Sequence, residues 1–226
     1  YHTGQWPHAG VDFTGLRVGI IGTGSSAVQA IPIIAEQAKH LTVFQRTPNY
    51  SVPARNGPLP LEVQQSIKAE YQQFRKTNNQ MPFAFGSKYN FREDAATEAT
   101  QEELRTEYEQ RWRTGGLPFL GAFGDLLFDM GANDTAGDFI RNKIHETVQD
   151  TAVAETLSPR QVVGCKRLCA DTNYYETYNR PNVTLVDISG DPIECITPDG
   201  VRAKGENFEF DCIVFATGFD AMTGAL

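Results

Sequence analysis

The sequence predicts an α/β fold in which a parallel sheet is interrupted by a helical insertion. Three observations carry this. An apolar run, Leu16-Arg17-Val18-Gly19-Ile20-Ile21, breaks into Gly22-Thr23-Gly24-Ser25-Ser26-Ala27 and then into a helical pattern. From 58 to 157 the periodicity is helical and the β-branched runs disappear. After Pro159 strand character returns and persists to residue 217.

Taken in order, residues 16–21 read as a buried strand. The following helix runs from Ser25 to Lys39, with Ala27, Val28, Ile31, Ile34, Ala35 and Ala38 at helical spacing. Pro32 inside it should cost a hydrogen bond or a kink. Leu41-Thr42-Val43-Phe44-Gln45 forms the second strand, completing the β-turn-α-β order that opens a Rossmann-like unit. In the insertion, Val63, Ile67, Tyr71 and Phe74 mark one amphipathic helix, Leu104, Tyr108 and Trp112 a second, and Phe139, Ile140, Ile144 and Val148 a third. The turn-rich apolar stretch from Gly115 to Gly124 is expected to pack that helical lobe. Charged residues such as Glu102, Glu103 and Arg105 are expected on a solvated face. Asn182–Val186 and Cys212–Ala216 read as further strands, with a hairpin around Pro198-Asp199-Gly200 between them.

The glycine turn is the first candidate site. G-x-G-x-x-A between a strand and a helix suits a dinucleotide: Gly22 permits the turn, Gly24 allows backbone close to a pyrophosphate, and Ala27 lets the helix approach the strand. Backbone N–H groups of Thr23, Ser25 and Ser26 at the helix start would meet the phosphates. An acidic residue for the ribose hydroxyls of NAD is expected after the second strand. Gln45-Arg46-Thr47 stands there instead, and Arg46 with Thr47 suits the 2′-phosphate of NADP.

Composition limits the partners. The net charge of -8 argues against nucleic acid and anionic membranes, and no apolar run is long enough to span a bilayer. No signal peptide is seen. Cys165, Cys169, Cys195 and Cys212 show no zinc spacing, so no metal site is expected; buried or half-buried free thiols in a reducing cytoplasm are. The chain opens on Tyr1 and stops after a strand and a glycine turn, which suggests a piece of a longer protein.

Five motifs in order then resemble one family. His2-Thr3-Gly4-Gln5-Trp6-Pro7 resembles the second half of the fingerprint F-x-G-x-x-x-H-x-x-x-W-P of type I Baeyer–Villiger monooxygenases. The glycine turn with the stretch from Gln45 to Pro53 resembles that family's NADPH site. Cys165-Lys166-Arg167-Leu168 with Asn173–Arg180 resembles its active-site arginine segment, and Ala216–Gly224 its return linker. The likeness is to the phenylacetone and cyclohexanone monooxygenase branch. It implies four parts: 1–13 as a linker with the fingerprint, 14–57 and 158–217 as the NADP-binding domain, 58–157 as the insertion, and 218–226 as a return linker.

The resemblance also implies chemistry. NADPH would reduce FAD, O2 would be activated on the flavin, and a ketone would become an ester or lactone. FAD would be held mainly by parts of the protein outside this chain. Arg167 would be catalytic, because a fixed positive charge favours the anionic form of a flavin-held peroxide. Lys166 would join Arg46 and Thr47 on the 2′-phosphate, with its side chain opposed to that of Arg167 if the backbone is extended. Gln29, Ala216, Thr217 and Gly218 would line the cofactor, and His2, Trp6 and Pro7 would set the linker's conformation. Two alternatives stand: a related flavin monooxygenase acting on nitrogen or sulfur, and a non-catalytic NADP-binding module.

Overall fold

The computed structural model describes residues 1–81 and 91–218. The chain builds β1 (Arg17–Ile21), α1 (Ser25–Gln37) and β2 (His40–Gln45) in succession. Pleating decides which side chains meet α1: Val18 and Ile20 of β1, with Leu41 and Val43 of β2, are fully buried beside Ala27, Val28 and Ile31. Burying each such aliphatic side chain contributes about 1.5–3 kcal/mol. Pro32 lies inside α1 and is buried, so the Val28 carbonyl lacks its usual helical donor there.

After β2 comes a short strand, β3 (Ser51–Pro53), and then the helices α2 (Leu61–Ala69), α3 (Tyr71–Gln80), α4 (Gln101–Thr114), α5 (Met130–Thr147) and α6 (Thr151–Leu157). The single helix expected through Val63, Ile67, Tyr71 and Phe74 is instead two. The chain breaks at Glu70 (φ -118°, ψ 31°), and neither half buries a residue. In the rest of the lobe Tyr108 stacks on Phe119 at 5.5 Å between ring centroids and meets Phe123 and Phe139. The Gly115–Gly124 stretch thus packs the lobe, as its apolar content suggested. Glu103 does more than face solvent. It forms a capping box with Thr100 at the start of α4.

The chain then returns through β4 (Cys169–Asp171), the single-turn helix α7 (Tyr174–Thr177) and β5 (Val183–Asp187). The antiparallel strands β6 (Cys195–Thr197), β7 (Gly200–Ala203) and β8 (Glu206–Glu209) follow, and β9 (Cys212–Phe215) closes the sheet. The main sheet is parallel throughout, in the order β5-β2-β1-β9. β3 and β4 pair separately, also in parallel. The meander β6-β7-β8 covers the face of the main sheet away from α1, where Phe44 meets Phe208 and Phe210 edge-on. Gly19 makes room for this layer, since a Cβ there would lie 2.7 Å from the Phe210 ring.

Two of the four cysteines depart from expectation. Cys169 is buried and Cys212 half-buried, but Cys165 and Cys195 are exposed because both stand on turns or an edge strand. All four are free thiols. Most of the stretch expected to form the return linker, residues 219–226, lies outside the described residues.

Candidate nucleotide site

Parallel strands deliver their following loops to one edge, and the candidate residues gather there. Gly22 has φ +110° and donates its N–H to the Phe44 carbonyl at 3.0 Å. A Cβ on Gly22 would lie 2.4 Å from the carbonyl oxygen of Ala216. Conformation and close approach both require glycine, and the approach seats Ala216, followed by the exposed Thr217 and Gly218, against the turn. Buried Thr23 donates from Oγ1 to the Thr47 carbonyl at 3.1 Å, tying the glycine turn to the loop after β2.

Gly24 is different. It caps α1 with φ -82° and ψ -175°, a conformation open to any residue, and nothing lies within 4 Å of a Cβ placed there. The chain's own packing does not ask for glycine at this position. No side chain caps the helix, so the N–H groups of Ser25, Ser26 and Ala27 have no intrahelical acceptor. An open approach over bare donors at the positive end of a 13-residue helix fits an anionic group. Gln29 is exposed further along α1.

A second strap crosses beside this turn. Ser25 Oγ lies 3.3 Å from Cys169 Sγ, and Asn49 Nδ2 donates to the same sulfur at 3.2 Å and to the Arg167 carbonyl at 3.4 Å. The Cys169 N–H reaches the Tyr50 carbonyl at 2.9 Å, and Gln161 Nε2 reaches the Pro48 carbonyl at 2.9 Å. Burial pushes the Cys169 thiol above its ordinary pKa, so it serves here as a neutral hydrogen-bonding bridge. The Asp171 carboxyl at the end of β4 is likewise raised by burial, opposed by bonds from Ser51 Oγ and the Tyr174 N–H.

The structure therefore brings the glycine turn, the Arg46-Thr47 loop, the Lys166-Arg167 strap and Ala216–Gly218 into one region. Arg46, Lys166 and Arg167 are exposed, and their side chains have no hydrogen-bond or ion-pair partner among the described residues. Lys166 stands at a bend, so the extended-strand argument for opposed side chains does not hold there. Gln45 lies apart from this group. It is 1% exposed and donates to the Thr156 carbonyl at 2.7 Å, turned into the protein and away from any ribose. Cys169 and Gln161, which help tie the region together, carried no motif in the sequence, and Asn49 stood inside the Gln45–Pro53 stretch without a role of its own.

The fingerprint segment begins beside β9, the edge strand whose end leads into Ala216. His2 forms a parallel bridge with Phe215, accepts the Gly4 N–H on Nδ1 at 3.0 Å and caps a short 3-10 turn. Trp6 packs with Tyr1 and Phe13, while Pro7 is half-buried. Among the described residues no group of His, Cys, Asp and Glu side chains has the arrangement of a metal site. No helix there is long and apolar enough to cross a membrane.

Known proteins share this arrangement. No family model matches the chain. A Baeyer–Villiger monooxygenase of Pseudooceanicola batsensis is 46% identical over 99% of this chain and 41% of its own length. An oxidised steroid monooxygenase bound to NADP superposes with a TM-score of 0.92 at 50% identity, over 98% of this chain and 42% of that one. The chain belongs to the Baeyer–Villiger monooxygenase family. It spans less than half the length of the curated relatives it matches. OTEMO, in a structure with FAD and NADP, gives a TM-score of 0.94 at 41% identity, over 99% of this chain and 43% of that one. The phenazine N-monooxygenase PhzNO1 of Lysobacter antibioticus is also similar, at 38% identity over 99% of this chain and 41% of its own.

Proposed function

We propose that this chain is the NADPH-binding part of a cytoplasmic, FAD-dependent monooxygenase that inserts one oxygen atom of O2 beside a ketone carbonyl. The observation that carries the reading is the open, uncapped start of α1 at Gly24, beside three cations that have no protein partner among the described residues. The uncapped backbone donors of Ser25, Ser26 and Ala27, presented by the Gly22-Thr23-Gly24 turn, would hold the pyrophosphate, with Gln29 and Ala216–Gly218 nearby to line the cofactor. Arg46, Thr47 and Lys166 hold the 2′-phosphate, for which a planar guanidinium and an ammonium are suited donors. When bound, NADPH supplies a hydride and FAD, held by other parts of the longer protein, supplies the centre at which O2 is activated.

Arg167, exposed on the strap beside the glycine turn, would place a permanent positive charge where negative charge develops on oxygen. His2, Trp6 and Pro7 fix the course of the chain at the sheet edge. The domain limits follow the same reading: 14–57 and 158–217 bind the nucleotide, 58–157 is the insertion, and 1–13 and 218–226 are connections. Four free thiols fit a reducing compartment.

Calorimetric titration of the chain should show binding of NADPH well ahead of NADH, and Arg46→Ala or Lys166→Ala should narrow that preference by about tenfold. Equal binding of both dinucleotides by the unaltered chain would overturn the assignment. In the longer protein, Arg167→Ala should abolish ester formation from a ketone while NADPH still binds. The likeness to a phenazine N-monooxygenase favours a second reading, oxidation at nitrogen. Product analysis with a cyclic ketone and an N-heterocycle side by side separates the two.

A further inference from the structure

Asn133, in the helical insertion, holds the strap that carries Lys166 and Arg167. It lies in the first turn of α5 and is 3% exposed. Its Oδ1 accepts the Val163 N–H at 2.8 Å, and its Nδ2 donates to the Val163 carbonyl at 3.0 Å. The side-chain amide thereby pairs with one residue's main chain through two bonds, as a neighbouring strand would. A further donation reaches the Leu126 carbonyl at 3.0 Å, so both amide protons and the oxygen are used. Val163 is buried, and from Gly164 to Arg167 the chain is exposed.

We infer that Asn133 is a positioning residue for nucleotide selectivity: through Val163 it sets where Lys166 stands relative to the Arg46-Thr47 loop. This rests on the reading of Lys166 as a 2′-phosphate contact. The strap is fixed at both ends. Asn133 grips Val163 on one side, and Asn49 with the β3–β4 pairing grips Arg167 and Cys169 on the other. Gln161 ties the same segment to the Pro48 carbonyl, one residue from Thr47. Between those grips the lysine and arginine side chains have no hydrogen bond or ion pair among the described residues that would place them. Their position is thus inherited from the backbone, and the backbone at Val163 is held by α5. The insertion tunes a site to which it contributes no ligand.

The test compares dissociation constants for NADPH and NADH in the wild-type chain, Asn133→Ala, Asn133→Asp and Lys166→Ala, with thermal melting of each. The Asp variant keeps the acceptor for the Val163 N–H and loses both donations. Both Asn133 variants should weaken NADPH by about tenfold and leave NADH within about twofold. A variant that melts earlier but keeps the wild-type NADPH-to-NADH ratio assigns Asn133 a structural role only and overturns the inference. If Lys166→Ala leaves the ratio unchanged, the reading of Lys166 fails first; if it lowers the ratio and the Asn133 variants do not, the inference alone fails. Hydrogen exchange on the wild-type chain gives a readout free of folding defects. The Val163 amide should be protected well beyond those of Gly164 to Arg167, and exchange at the same rate would overturn the proposal.

Discussion

At the scale of single residues, the two glycines of the turn have opposite reasons for being glycine. Gly22 answers to the protein, through positive φ and the Ala216 carbonyl, whereas Gly24 meets only open space. Gly22→Ala should therefore destabilise the fold by about 1–3 kcal/mol through backbone strain and a shift of the β9 end. Gly24→Ala should leave the melting temperature almost unchanged while weakening NADPH, because only the ligand would meet the new methyl. Thermal melts and titrations of the pair check both outcomes. A stable Gly22→Ala variant with full binding would show that Ala216 yields. The spacing of these residues was legible because it is local. The burial of Gln45 was not, since its acceptor, Thr156, lies 111 residues away.

Among the elements, the β1–β9 pairing depends on an ionic clip at its exposed end. The Arg17 guanidinium donates to both Asp211 carboxylate oxygens, and the Arg17 N–H adds a 2.7 Å bond. The Arg17 side chain and backbone hold the Asp211 carboxyl at about 2, below its ordinary 3.8. A carboxyl depressed in the folded state contributes stability that is present above pH 3.8 and lost as pH falls towards 2. Asp211→Asn should therefore be less stable than wild type at neutral pH, and the gap should close across that window. Denaturant midpoints at several pH values measure it; a gap of constant size would mean that the carboxylate charge is irrelevant. The first strand, helix and second strand were readable because their apolar periods are long and local. β3 and β4 were not, at three residues each and paired across more than a hundred residues. β8, Glu206–Glu209, was missed because its charged residues leave no alternating apolar pattern. The break between α2 and α3 is not legible, because Glu70 carries no helix-stop signal.

For the molecule as a whole, the candidate site is cationic within a chain of net charge -8. On the proposed reading, attraction of the 2′-phosphate comes from a few exposed groups, which salt screens over about 8–10 Å. NADPH binding should weaken steeply between low and physiological ionic strength, and NADH binding much less. Parallel salt titrations test this, and equal slopes would remove Arg46 and Lys166 from the phosphate site. Sequence motifs brought the candidate residues to light because the nucleotide turn has a local signature. The supporting contacts were hidden, since Asn49, Asn133 and Gln161 act on main-chain atoms of distant segments. A side chain that bonds to backbone leaves no pattern in its partner's residue type.

The seam where the first residues meet β9 has a mechanical consequence. The Phe215 N–H donates to the Tyr1 carbonyl at 2.7 Å, and the Tyr1 amine donates to the Ile213 carbonyl at 2.8 Å. The next residue, Ala216, lays its carbonyl over Gly22. Tension on Tyr1 would load these bonds in shear and reach the glycine turn within one residue of Phe215. Tyr1 and His2 are thus coupled through β9 to Gly22, and a pull on them would strain the glycine turn without contact to any residue of that turn.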